Sequence, residues 1–97
     1  MIEIKHSKNL IAIKGHAGYA EYGHDIVCSA VCTLAQTLAE SIERLTADKI
    51  ECKFESGDIE IKYGNLSERG ILLVDSFFCG VSEVAEAYPE NVKVELF

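Results

Sequence analysis

The residues best equipped for chemistry sit in two short strings, Gly15-His16-Ala17-Gly18 and Asp25-Ile26-Val27-Cys28-Ser29, with Cys28 twelve positions after His16. The pattern places His16 at the end of a strand and Cys28 in the first turn of a helix that Asp25 caps. A cysteine is a useful nucleophile only as the thiolate, which a helix N-terminus and a neighbouring imidazole both favour. First-turn amides are also expected to hold the oxyanion of an acyl-transfer intermediate. His24 competes with His16 for the base role, and spacing does not choose between them. His6 falls in an expected turn.

Other chemistries fit less well. His24, Cys28 and Cys32 recur every four residues, and His16 could add a fourth ligand. That spacing matches no usual zinc pattern, and a cap at Asp25 starts the helix after His24, so no metal or other cofactor is expected. Cys28 and Cys32 form a Cys-x-x-x-Cys pair, a poor redox motif. Gly15, Gly18 and Gly23 lack the spacing of a nucleotide-binding loop. Tyr19 and Tyr22 are candidates either to touch substrate or to pin the glycine-rich segment.

The elements that must position these residues follow from periodicity. Ile2 and Ile4 alternate with Glu3 and Lys5, and Leu10 to Lys14 gives a second strand, the two forming a hairpin. Residues 15–24 follow no regular period and read as a mobile loop. Val27, Val31, Leu34, Leu38, Ile42 and Leu45 recur at helical spacing, predicting a helix from Ile26 to about Arg44. Ile50, Cys52 and Phe54, then Ile59, Ile61 and Tyr63, mark two alternating strands joined at Ser56-Gly57-Asp58. Ser67 caps a second helix with Ile71, Val74, Phe77 or Phe78, Val81, Val84 or Ala85, and Tyr88 on its buried side, and Pro89 stops it. Val92, Val94 and Leu96 form the last strand. The order ββαββαβ predicts a single α+β domain over residues 1–97, its two helices packed against or between largely antiparallel sheet.

Composition bounds the function. At 97 residues, 48% hydrophobic and 26% charged, the chain has the makeup of one folded domain. The longest purely apolar runs are too short for a membrane span, and the start lacks a signal-peptide pattern, which predicts a cytoplasmic protein. The four cysteines are therefore expected as thiols, with Cys52 and Cys79 as small core residues. A net charge of −7 with no basic patch opposes direct nucleic-acid binding and suits a basic protein partner.

Together, Gly15-His16-Ala17-Gly18, Gly23-x-Asp25-Ile26-Val27-Cys28 and Ala30-Val31 resemble the ribosomal-processing cysteine protease family, Prp. The likeness in element order and length covers essentially the whole chain. It implies a cytoplasmic, homodimeric endopeptidase that removes an N-terminal extension from a large-subunit ribosomal protein, number twenty-seven. It implies His16 as general base and Cys28 as nucleophile, which settles the choice against His24. Asp25 matches the motif as cap and electrostatic orienter, and the loop residues Ala17, Gly18, Tyr19, Tyr22 and Gly23 would close over substrate. The sequence departs from the family at Ser29, where alanine is common, and at Cys32, where serine is common. A non-catalytic ribosome-assembly adaptor and a thiol redox or metal-binding regulator are the rival readings.

Overall fold

A computed structural model describes residues 1–21 and 25–96. Seven elements follow in the expected order: β1 (Ile2–Ser7), β2 (Leu10–Lys14), α1 (Ile26–Leu45), β3 (Ile50–Glu55), β4 (Asp58–Tyr63), α2 (Glu68–Ala87) and β5 (Val92–Leu96). They form one five-stranded sheet in the order β3-β4-β2-β1-β5. Three neighbouring pairs are antiparallel; β1 and β5 run parallel, with Ile2 opposite Val92 and Ile4 opposite Val94.

The helices are crossovers between parallel strands rather than caps on two separate hairpins. α1 carries the chain from β2 over β4 to β3, and α2 carries it from β4 over β2 and β1 to β5. The two crossovers leave in opposite directions from oppositely directed strands, so the same hand puts both helices on one face. Burial agrees. Ile2, Ile4, Ile11, Ile13, Ile59, Ile61 and Tyr63 point into a core completed by Val27, Val31, Ala35, Leu38 and Ile42 of α1 and Val74, Phe77 and Val81 of α2. Leu45 and Ile71, expected in the buried stripes, are 57% and 50% exposed, Leu45 ending α1 and Ile71 lying in the first turn of α2.

Two further expectations change. Cys52 and Cys79 are exposed rather than in the core. β3 is an edge strand, and Cys52 and Phe54 are exposed on it, Phe54 at 40%. All four cysteines are free thiols. Among the described residues, α1 alone is long and apolar enough to cross a membrane, yet its Val27-to-Ile42 stripe is spent on the sheet.

His6, expected to be solvent-exposed in a turn, closes the far end of β1. Its Nε2 lies 2.6 Å from the Tyr63 hydroxyl, and its ring stacks on Phe78 at 4.5 Å. Burial lowers its pKa below the ordinary histidine value, and the charge of Asp75 offsets only part of that. The unfolded chain therefore takes up this proton first as pH falls below about 6.5. Stability from this site is complete above that pH and declines as pH falls through the lower folded-state value. Thermal melts should accordingly drop between pH 7 and 5, and His6→Gln should flatten that slope.

Candidate active site

Asp25 organises the helix start. Its backbone is extended (φ −85°, ψ 100°), and its carboxylate accepts four backbone amides. Oδ1 takes Val27 N–H and Cys28 N–H at 3.0 Å each, capping α1. Oδ2 takes Tyr19 N–H at 3.0 Å and Ala20 N–H at 3.4 Å from the preceding loop. The side chain thus faces two ways and ties that loop to the helix. Burial raises the pKa of its carboxyl, but the amides outweigh this and hold it below the usual carboxylate range. The predicted cap is present, and the loop-tethering role was not legible from the cap alone.

Cys28 is half-buried in the first turn of α1, and Ala17 N–H donates to its Sγ at 3.2 Å. An N–H aimed at sulfur stabilises negative charge there. Three amides at the helix start are not open to the expected oxyanion: Val27 and Cys28 N–H are committed to the Asp25 side chain, and Ser29 N–H to the Asp25 carbonyl at 3.1 Å. A cap that accepts these amides leaves them unavailable to an intermediate.

His16 precedes the amide that faces the sulfur. Its Cα is two bonds from Ala17 N, which puts it within about 6 Å of Sγ on standard backbone dimensions. An imidazole on that Cα can reach the thiol. The strand end is held by a sharp turn at Gly15 (φ +93°), where a Cβ would run into the Met1 carbonyl oxygen. His16, Asp25, Cys28 and Cys32 all line one cleft of about 520 Å³. The β3–β4 turn, Glu55 to Asp58, also lines it, which the sequence pattern did not indicate. Only the β2–β4 pairing, which sets Lys14 opposite Asp58, brings that turn to the site.

The candidate substrate loop divides. Ala17 is buried in the core, and its carbonyl accepts Asn91 Nδ2 at 2.9 Å. Tyr19 packs edge-on against Tyr88 at 5.3 Å and does not line the cleft. Gly18 does line it, with φ +70°. Residues 17–20 are therefore anchored by Asn91, Tyr88 and Asp25, contrary to a freely mobile loop. Asn91 was missed because nothing local marks it; the β1–β5 pairing brings it there, with Ile2 N–H donating to its carbonyl at 2.8 Å. Tyr22, Gly23 and His24 lie outside the described residues, as does the four-ligand metal arrangement that needs His24. Among the described residues, no three His, Cys, Asp or Glu side chains are grouped to hold a metal ion.

Burial raises the pKa of Cys32, and the nearby Cys28 charge adds to that. Cys32 therefore stays a neutral thiol at physiological pH and is a poor nucleophile. Cys32→Ser should leave peptide cleavage within about threefold of wild type, since it removes neither charge nor a reacting atom. A steady-state assay under reducing conditions checks this.

A thiol at a helix start, faced by an amide and near a strand-end imidazole, can perform nucleophilic acyl transfer. That is the arrangement of a cysteine hydrolase. The comparisons place the chain more closely: residues 1–93 match the family model of cysteine protease Prp, and the chain belongs to that family. The ribosomal processing cysteine protease Prp of Staphylococcus aureus (strain Mu50 / ATCC 700699) is 24% identical over 87 residues, which span 87% of this chain and 82% of that protein. The crystal structure of S. aureus Prp with a covalently linked product peptide matches with a TM-score of 0.89 at 21% identity, covering 99% of this chain and 97% of that one. SMU.848 from Streptococcus mutans matches with a TM-score of 0.80 at 30% identity, covering 99% and 91%.

Proposed function

We propose that this protein is a cytoplasmic, homodimeric cysteine endopeptidase that removes the N-terminal extension of a large-subunit ribosomal protein, number twenty-seven. Family membership supports the reaction class, and the names of its S. aureus relatives support ribosomal processing. One observation carries the site assignment: the amide next to His16 donates to the sulfur of Cys28.

In this reading the Cys28 thiolate attacks the scissile carbonyl carbon while His16 carries the proton. Ala17 N–H, already directed at the sulfur, lies where a developing oxyanion needs a donor. Collapse of the tetrahedral intermediate breaks the C–N bond, and His16 gives its proton to the leaving amine. Water, deprotonated by His16, then attacks the thioester, releasing the carboxylic acid and restoring the thiol. The net charge of −7 favours a basic ribosomal protein over bulk peptides. Leu45, Ile71 and Leu72 are each exposed, and apolar side chains of this kind would be covered in a contact between two copies.

The test is incubation with the extended ribosomal protein followed by intact mass spectrometry, with Cys28→Ala in parallel. A single cut by wild type alone supports the protease. Binding without cutting by the reduced wild type replaces it with the adaptor.

A further inference from the structure

The turn between β3 and β4 meets the strand end carrying His16 through both backbone and side chain. Gly57 carbonyl oxygen accepts Gly15 N–H at 2.9 Å. A Cβ placed on Gly57 would lie 2.8 Å from Nε2, 3.2 Å from Cε1 and 3.4 Å from Cδ2 of His16. The imidazole thus lies directly on a surface that exists only because residue 57 has no side chain.

We propose that Gly57 is a positioning residue for the His16 imidazole, its bare turn forming the floor that fixes where the ring lies in the cleft. The proposal deepens the assignment of His16 as general base and rests on it. Neither backbone can readily yield. Asp58 beside the turn is paired with Lys14 and Lys53, and Lys14 also bonds Glu60 at 2.8 Å. On the other side, Gly15 is packed against the Met1 carbonyl. With both backbones held, the ring must move if a methyl group is added. Ordinary contact distances of about 3.5 Å or more require it to withdraw by roughly 0.7 Å. A shift of that size matters for proton transfer, which needs hydrogen-bond geometry.

Gly57 has φ +70°, so alanine also strains the turn. Asparagine tolerates this backbone region better while still adding a Cβ, so it separates steric displacement from strain. The experiment compares wild type, Gly57→Ala, Gly57→Asn, His16→Ala and Gly57→Ala/His16→Ala on a peptide spanning the cleavage site. It reads kcat and KM separately, together with the pH dependence of iodoacetamide labelling at Cys28, followed by peptide mass mapping.

Both Gly57 variants should lose about 100-fold in kcat with KM little changed. Their labelling profiles should shift toward that of His16→Ala, and the double variant should be no slower than His16→Ala alone. Wild-type kcat and labelling in both Gly57 variants, with His16→Ala inactive, would overturn the positioning role and leave the base assignment standing. So would a double variant slower than His16→Ala by the full Gly57→Ala factor, since the glycine would then act independently of the imidazole. Wild-type cutting by His16→Ala would remove the base assignment, and this proposal with it.

Discussion

His16→Ala and Cys28→Ala are each expected to lower kcat by about 10³-fold or more, and the double variant to be no worse than Cys28→Ala. Without the thiol there is no covalent intermediate, so a base has nothing to activate. Without the imidazole, Cys28 keeps the Ala17 amide and the helix start, but the leaving amine receives no proton. Residues that act as one unit show this non-additivity. KM should change little, since neither side chain is assigned to substrate binding. Single-turnover mass spectrometry separates the variants further: His16→Ala can still form some thioester, whereas Cys28→Ala cannot. Wild-type kcat in His16→Ala would return the base role to His24.

Asp25→Asn is the more diagnostic substitution. The carboxylate uses both oxygens as acceptors toward four N–H groups, but asparagine offers only one oxygen. Asparagine is a good N-cap, so its oxygen is expected to stay with Val27 and Cys28. Its NH₂ would then face the Tyr19 and Ala20 amides, donor against donor, and push that segment away. Gly18 and Ala20 line the cleft, so kcat/KM should fall by about tenfold to 100-fold while the helix persists. Asp25→Ala would lose the cap as well and melt at lower temperature. The wild-type carboxyl, held low by its amides, contributes stability above its unfolded-state value of 3.8, lost only as pH falls through the lower folded value. Protonation of Asp25 is therefore not expected to change activity between pH 7 and 5.

These two substitutions mark where sequence reading succeeds and where it stops. Asp25 as a cap is local information: a carboxylate just before an apolar helical repeat is placed to accept first-turn amides, as it does from Val27 and Cys28. Strand positions such as Ile2, Ile4, Ile59 and Ile61 were legible for the same reason, because alternation records which side is buried. What periodicity lacks is sheet order. The pairing of β2 with β4 brings Gly57 beneath His16, and that of β1 with β5 brings Asn91 to Ala17. Cys52 misled for a related reason. It alternates like a core residue, but its strand became the edge of the sheet, where it is exposed.

The Asn91–Ala17 hydrogen bond has a consequence for the order in which the protein acquires its chemistry. It joins positions 74 residues apart, and β5 can pair with β1 only after α2 has been made. During synthesis from the N-terminus, His16 and Cys28 emerge early, and the peptide unit linking them to the rest of the site is fastened last. An unfinished chain therefore carries the cysteine without its fixed surroundings. The surroundings of the cysteine become fixed only once the fifth strand has been made and has paired with β1.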